Sequence, residues 1–308
     1  MATVTTGTSS ISPEIREHYD KTMLSMAMPE LVHARYARKK TIPKGEGVAV
    51  NWRRGVLLAP ATTPLTEGVT PAGNTLTIVN VRATVSQYGD YVVFSEVVTT
   101  TSIDSILDEN SQILGQQAGN TLDQIARDVF AAGSNVRYAN GRVSRVTVAA
   151  GDILNDAEVR KATRTLRGGN ARTIGGRWIG IVHPNTTYDL QGTDAYIKTA
   201  QMQDQRAIES GQVFDLYGVT WQETTNAKVF TGAGASGIDV YATLIYGAEA
   251  VGVVDIAGLG IENIYKEPGS AGTADPLNQR QSQGWKTSYA AKILNDAYLL
   301  RVEHAVSA

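Results

Sequence analysis

The chain has 308 residues, of which 42% are hydrophobic, and a formal net charge of -2, so it can bury a sizeable core and form up to two domains. A charge so close to zero excludes a global basic field for holding nucleic acid, and any such contact has to be local. The sequence has no cysteine, which excludes disulfides and cysteine-ligated metal sites.

The N-terminal residues predict an extended arm followed by a helix. Residues 1–11 lack a secretion signal, and no apolar run in the chain approaches the roughly 18 residues that span a bilayer. We therefore expect a soluble protein made in the cytosol. The Ser-Pro-Glu sequence that begins at Ser12 is typical of a helix start. An apolar stripe at helical spacing follows, formed by Ile15, Tyr19, Met23 and Met26. Pro29 ends this helix, and we assign residues 1–30 to the N-terminal arm and first helix.

A basic cluster follows the first helix. Its members are Arg35, Arg38, Lys39 and Lys40. These side chains could contact nucleic acid through salt-sensitive phosphate contacts. They could equally pair with acidic residues of a neighbouring chain or remain solvated, and the sequence does not decide between these alternatives.

Residues 48–91 predict a long two-stranded arm. Val48, Val50 and Trp52 alternate with polar residues, and a second alternating stretch covers residues 79–85. The tip between them, residues 62–74, is rich in threonine, proline and glycine. A strand of about a dozen residues reaches roughly 40 Å, and an isolated hairpin is marginally stable in water. The arm therefore needs a surface to rest on, and the simplest one is another copy of the chain.

A long amphipathic helix is predicted after the arm. Residues 91–98 are apolar on both faces and are expected to return to the body of the molecule. The helix covers residues 103–132 and carries one apolar stripe. Thirty residues at about 1.5 Å each give roughly 45 Å, so we expect this helix to lie across a sheet or along an interface.

A second region, residues 146–260, predicts a mixed α/β domain. Asn155 and Glu158 fit an N-cap and its returning partner. Buried strands are expected at residues 178–183, 219–223, 239–246 and 251–256. The C-terminal stretch predicts two strands around Asn295, and we assign residues 31–145 and 261–308 together to the other domain.

One glycine-rich sequence matches a dinucleotide-binding pattern. Residues 232–237 read Gly-Ala-Gly-Ala-Ser-Gly, but the pattern functions only between a strand and a helix. The residues that follow are β-branched and aromatic and predict another strand. We therefore interpret residues 232–237 as a hairpin loop and keep a nucleotide-dependent enzyme only as a distant alternative.

No catalytic or metal site is assigned. The four histidines are far apart and have no ligand spacing: His18, His33, His183 and His304. The acidic groups Asp104, Asp108 and Glu109, and Asp152 with Asp156, lie near predicted helix starts, where they favour the helix dipole. We expect neither a cofactor nor an enzyme.

Five strings carry a resemblance to a known family. They are Ile11-Ser-Pro-Glu-Ile15, Ala61-Thr-Thr-Pro-Leu-Thr-Glu-Gly-Val-Thr-Pro71, Gln87-Tyr-Gly-Asp-Tyr91, Asp239-Val-Tyr-Ala-Thr243 and Gly269-Ser-Ala-Gly-Thr-Ala-Asp-Pro-Leu-Asn-Gln-Arg280. With the order of elements, they resemble the tailed-phage major capsid proteins of the Hong Kong 97-like fold. They are most similar to the subfamily typified by the coliphage N-four major capsid protein, over nearly the whole chain.

The resemblance implies an α+β structural protein that builds an icosahedral shell around double-stranded DNA. Residues 48–91 would be the extended loop over the adjacent subunit, residues 103–132 the spine helix of the peripheral domain, and residues 146–260 the axial domain. The residues assigned to inter-subunit contacts are Arg53, Arg54, Thr66, Glu67, Asn74, Arg82, Tyr88 and Asp90.

Partners and location follow from the same resemblance. We expect pentamers and hexamers of this chain in a virion capsid assembled in the bacterial cytoplasm, with non-specific DNA contacts and no membrane. A portal and a decoration protein are further candidate partners. The first helix begins at Ser12, so a scaffolding protein would be a separate chain. The extended loop has no lysine, so no lysine–asparagine cross-link is carried over. The alternative within the fold is an encapsulin-type compartment shell.

Overall fold

The computed structural model describes residues 21–27, 31–43, 45–97, 106–193, 215–256, 260–270 and 275–307. Four helices lie in these ranges: α1 (residues 21–27), α2 (Ile106–Ala131), α3 (Asp156–Gly168) and α4 (Pro184–Gln191). The predicted N-terminal arm and the start of the first helix lie outside the described residues, as do residues 103–105. The predicted long helix is confirmed over the residues of α2.

Thirteen strands are described. They are β1 (Arg38–Ile42), β2 (Ala49–Gly55), β3 (Ile78–Thr84), β4 (Ser86–Ser95), β5 (Val136–Tyr138), β6 (Trp178–Val182), β7 (Val219–Glu223), β8 (Val229–Phe230), β9 (Val240–Tyr246), β10 (Val251–Ile256), β11 (Glu262–Lys266), β12 (Arg280–Ile293) and β13 (Leu299–His304). The four predicted strands of the second region and the two C-terminal strands are all present.

Two larger sheets and one two-stranded sheet organise these strands. The first sheet has the order β1-β10-β12-β11, and β4 also pairs with β12. In it β1 is parallel to β10, while β10, β11 and β4 are antiparallel to β12. The second sheet has the order β5-β13-β9-β6-β7, with β8 paired to β9. Strands β2 and β3 pair only with each other.

Helix α2 packs between the two larger sheets. Its side chains Leu122, Ala126 and Phe130 belong to one buried cluster with Ile181 of the second sheet and Val253 of the first. Phe130 is fully buried. A single apolar core therefore contains residues of both sheets, as expected for a helix with one apolar stripe.

Helix α1 crosses α2 at close range. A Cβ atom on Gly115 would lie 2.5 Å from the backbone oxygen of Met23, so only glycine permits this approach. Met23 packs beside Leu114, Ala118 and Trp285 in a separate cluster. This contact ties the N-terminal segment to the first sheet through α2.

Sheet pairing divides the chain elsewhere than the predicted domain ranges do. Strand β10 lies in the range assigned to the axial domain, yet it pairs with β1 and β12 of the first sheet. Strand β13 lies in the range assigned to the peripheral domain, yet it pairs with β5 and β9 of the second sheet. The peripheral and axial assignment itself stays a prediction.

The N-cap of α3 is formed as predicted, but two other predicted features are not. Glu158 does not return to Asn155, because its carboxylate accepts from Lys161 Nζ at 2.7 Å. The side chain of Asn155 accepts the backbone N–H of Glu158 at 3.1 Å, and His183 caps α4 through the N–H of Asn185. Asp152, however, is not a helix cap. It is buried and accepts from Arg142 Nε at 2.6 Å, because the guanidinium supplies the charge compensation that a buried carboxylate needs.

His304 is fully buried in β13 between two hydrogen-bond partners. Its Nδ1 lies 2.8 Å from the carbonyl oxygen of Ala305, and its Nε2 lies 2.9 Å from the hydroxyl of Thr243. A carbonyl only accepts, so Nδ1 carries the proton and the neutral ring satisfies both partners. Burial lowers the pKa of His304 to about 4, although Ala305 and the nearby Asp189 and Glu303 act to raise it.

This histidine predicts an acid-sensitive subunit. The unfolded chain binds the proton at a pKa of about 6.5, so the free energy of unfolding falls as the pH drops from about 6.5 towards 4. We expect a loss of about 2 kcal/mol between pH 7 and pH 5. His304→Gln, which keeps a donor and an acceptor, should remove most of this loss in chemical denaturation of unassembled subunits.

Comparing wild type with His304→Gln separates the contribution of His304 to the pH dependence of stability from that of His183. Burial also lowers the pKa of His183, so it contributes in the same direction in both proteins. An unchanged pH dependence in His304→Gln would contradict the prediction.

Candidate inter-subunit surface

The arm, defined here as residues 48–85, is anchored by its root. Strands β2 and β3 pair from Ala49 with Thr84 to Gly55 with Ile78. Side chains alternate between two faces in such a pair, and the face with Val50 and Trp52 turns towards the first sheet. These residues share a buried cluster, whose other members are Ile42, Ala83, Val85, Val254, Ala290 and Leu294.

The two-stranded part of the arm is shorter than predicted. Each strand has seven residues, or roughly 23 Å at 3.3 Å per residue. From Ser86 onwards the chain pairs with β12 of the first sheet, so residues 86–91 belong to the body and not to the arm. Glycines permit this pairing, because a Cβ on Gly284 would lie 2.5 Å from the Cβ of Tyr91.

The distal part of the arm has no core of its own. Every residue from 53 to 78 is exposed. Seven of them are large and apolar: Val56, Leu57, Leu58, Leu65, Val69, Leu76 and Ile78. Burying one such side chain stabilises a protein by about 1.5–3 kcal/mol, and contiguous exposed apolar groups mark interaction surfaces. The distal arm is thus a candidate interface.

A tight turn forms the tip of the arm. The N–H of Val69 donates to the carbonyl of Thr66 at 3.2 Å, and Gly68 has a φ of 77°. A positive φ at the third turn position requires glycine or asparagine. Glu67 occupies the second position and is exposed. It is the only charged residue between Arg54 and Arg82.

A second exposed apolar surface lies on β4 and on residues 96–97, which follow it. Tyr91, Val92, Val93 and Val97 are all exposed. The sequence predicted that this segment returns to the body, and its pairing with β12 confirms that. Its exposure was not predicted, because an apolar run on both faces of a strand is typical of burial.

Six of the residues assigned to inter-subunit contacts lie in the arm. Arg53, Arg54, Thr66, Glu67, Asn74 and Arg82 are exposed. Arg54 shares the face of Trp52, whereas Arg53 and Arg82 lie on the opposite face, as the pairing of Asn51 with Arg82 requires. These six positions are available to a neighbouring chain, and their role in contacts stays a prediction.

The other two assigned residues contact the subunit's own helix α2. Asp90 accepts from Gln117 Nε2 at 2.6 Å, and this bond together with the N–H of Tyr91 lowers the pKa of Asp90. Tyr88 is half-buried against the two clusters that contain α2. Both side chains thus have partners within their own chain.

The four cations of the basic cluster have different surroundings in the structure. Arg38 donates to Glu249 at 3.0 Å, and Lys40 donates to the carbonyl of Asn51 at 3.0 Å. Arg35 lies 5.6 Å from the ring centre of Tyr36. Arg38, Lys39 and Lys40 are all exposed. Two of the four cations thus have partners in the same chain, which weakens the alternative of a dedicated phosphate surface.

The glycine-rich loop is a hairpin, as predicted. It joins β8 to the antiparallel β9, and the N–H of Gly232 donates to Asp239 at 2.8 Å. A short 3-10 turn and then a strand follow, so the helix that a pyrophosphate requires is missing from this part of the described chain.

The described residues contain no group of three or more potential metal ligands. His33 instead pairs with Asp123 at 2.8 Å, and both are fully buried. None of the helices within these residues has the length and apolarity needed to cross a bilayer.

Sequence reasoning missed the groove beside the arm root. The groove has a volume of about 710 Å³ and brings Arg54 close to Arg172 and Glu249. These residues come from the arm, the turn after α3 and the turn between β9 and β10. No sequence pattern connects positions so far apart, so only the packing of the two sheets reveals their proximity.

Substitutions in the buried root and at the exposed tip of the arm should differ strongly in their effect on the free energy of unfolding. Trp52 is 5% exposed and Leu65 is 79% exposed. Trp52→Ala should lower the free energy of unfolding by about 3–5 kcal/mol through the cavity that it leaves. Leu65→Ala should change it by less than about 0.5 kcal/mol. Chemical denaturation of unassembled subunits measures both, and equal effects would contradict this prediction.

Comparison with known proteins supports the fold through structure alone. No protein-family model and no curated protein matches the sequence. The capsid of Ralstonia phage GP4 is similar with a TM-score of 0.70 at 13% identity, over 89% of this chain and 88% of that chain. The capsid of cyanophage Pam1 is similar with a TM-score of 0.66 at 16% identity, over 100% and 98%.

A virus-like particle from Pyrococcus furiosus is also similar, with a TM-score of 0.56 at 10% identity, over 94% of this chain and 99% of that chain. At identities this low, the structural similarity shows a common fold and nothing further. The narrower resemblance to the coliphage N-four subfamily stays a prediction. The chain has the α+β, Hong Kong 97-like fold that it shares with the capsid proteins of phages.

Proposed function

We propose that this chain is the major capsid protein of a tailed bacteriophage, which self-assembles into an icosahedral shell around double-stranded DNA. The observation that carries the proposal is the distal arm. Its 26 exposed residues (53–78) are held by a buried root on a subunit with a capsid fold. An extended segment without a core gains stability only by burying its apolar side chains on another surface.

The proposal includes the partners of such a shell. Copies of this chain would form pentamers and hexamers in a virion capsid assembled in the host cytoplasm, with a separate scaffolding protein, a portal and a possible decoration protein. DNA would be contacted without sequence preference through local cations such as Lys39. The role in assembly is structural and requires no catalysis.

An encapsulin-type compartment is the second candidate within the fold. The virus-like particle from Pyrococcus furiosus has a lower TM-score than the two phage capsids described above, which favours the phage. The content of purified particles separates the two: nuclease-protected DNA supports the phage capsid, and an enclosed protein cargo supports the compartment.

Removing the tip should abolish assembly without unfolding the subunit. Deleting residues 62–74 takes away Leu65, Glu67 and Val69, all of which are exposed, and leaves both strands of the arm. We expect the far-ultraviolet circular dichroism of wild type and at least a tenfold lower particle yield, since a tenfold change corresponds to about 1.4 kcal/mol of lost contact energy.

A matched control keeps the length of the arm. Replacing residues 62–74 by an equally long glycine–serine segment should give the same loss of particles in electron micrographs. An unfolded deletion variant would show that the tip belongs to the subunit's core. A wild-type chain that stays monomeric under every assembly condition, including co-expression with its scaffold, would contradict the proposed function.

A further inference from the structure

The arm groove lies between the arm root and elements of the second sheet. Trp52, Arg54 and Val56 line one wall, and Asn170, Arg172 and Glu249 line the other. Arg54 shares the face of Trp52, which turns towards the body. The groove therefore lies mainly under the side of the arm that faces the subunit; Arg53 on the opposite face also lines it, whereas Arg82 does not.

Charge in the arm groove is unbalanced towards arginine. Arg38 also lines the groove, and its guanidinium is bound to Glu249 at 3.0 Å. Within the described residues, the guanidinium groups of Arg54 and Arg172 have no ion-pair partner, and both side chains are exposed. Planar guanidinium groups are suited to bidentate binding of a carboxylate. Arg53 also lines the groove and has no ion-pair partner among the described residues, so the groove offers three cations without a counter-ion.

Trp52 gives a second, independent indication of a missing acceptor. The residue is 5% exposed, and its Nε1–H has no hydrogen-bond partner among the described residues. A buried donor without an acceptor is costly.

Glu67 at the tip of the arm has complementary properties. It is the only charged residue between Arg54 and Arg82, and it lies exposed in the turn of residues 66–69. Its neighbours Leu65 and Val69 are exposed apolar side chains. The groove pairs its arginines with apolar surface from Val56, Leu57, Val81 and Leu294. No described hydrogen bond or ion pair joins Glu67 to the groove of its own chain.

We propose that the turn of residues 66–69 in one copy docks in the arm groove of a second copy, with the Glu67 carboxylate between Arg54 and Arg172. This inference rests on the proposed function, because it names the contact through which the arms join subunits. The contact uses two different surfaces of the same chain and is therefore heterologous. Such contacts close into rings when the rotation between copies permits, as a capsomer requires.

Cross-linking tests the contact directly. The chain has no cysteine, so a double variant Glu67→Cys and Arg172→Cys carries the only two thiols. A short bismaleimide should convert it into a ladder of covalent multimers on denaturing gels. The control pair, Glu67→Cys and Arg82→Cys, places the second thiol on the opposite face of the arm and should give far less of the ladder.

The two hypotheses fail in different ways. Wild-type shells together with a Glu67/Arg172 pair that cross-links no better than the control, or only within one chain, would overturn this inference and leave the proposed function intact. A wild type that never assembles would overturn the proposed function, and a missing ladder in that protein would overturn both.

Charge reversal tests whether the pairing matters for assembly. Glu67→Arg alone, or Arg54→Glu with Arg172→Glu, should lower the yield of particles by at least about tenfold, because like charges then meet in a partly desolvated groove. The triple variant restores opposite charges in every tip-to-groove contact, and its yield should return to within about threefold of wild type.

Arg164→Glu, at an exposed position of α3 outside the groove, is the matched control for charge and exposure and should assemble normally. Thermal unfolding of each variant before assembly separates misfolding from lost contacts. A triple variant that folds but assembles no better than the poorer of its two parents would overturn the proposed docking.

Discussion

The packing of α2 against both larger sheets is the contact on which the other surfaces depend. Phe130 and its apolar neighbours hold the first sheet, which carries the arm root, in one position relative to the second sheet, which carries the turn with Arg172. Interiors packed at crystal-like density transmit displacements and do not absorb them. A groove whose walls come from two sheets therefore keeps its shape only while this shared core is intact.

The root and the distal part of the arm have different roles. Its root contributes Trp52 and Val50 to a buried cluster, so the position of the arm is set by folding. Its distal part leaves Leu57 and Leu65 in solvent, so its apolar surface is available to a second chain. Ordering an extended segment offsets part of the gain at each contact. In the proposed shell, repetition over many copies would make such modest contacts sufficient and would still allow errors to be corrected.

Local sequence patterns predicted individual helices and strands well, but they did not predict which strands pair when the strands are far apart in the sequence. The period of two around Trp52 predicted β2, and the spacing of Asn155 and Glu158 predicted the cap of α3. The end of the arm was wrong because the alternation of β3 continues into β4, whose partner β12 lies almost 200 residues away. Nothing local marks that change of partner. Arg54 and Arg172 meet for the same kind of reason, so the arm groove could not be predicted.

The composition of the distal arm determines which proteases can cut the unassembled chain there. Exposed loop segments are the preferred sites of proteolytic cleavage, and the distal arm exposes every residue from 53 to 78. Between Arg54 and Arg82 the chain has neither lysine nor arginine. Proteases that cut after basic residues thus have no target in residues 55–78, while those that cut after leucine have four: Leu57, Leu58, Leu65 and Leu76. Exposed Arg53 and Arg54 remain targets of the first class, so sensitivity to the second class is the property that would distinguish a free arm from one buried in an assembly.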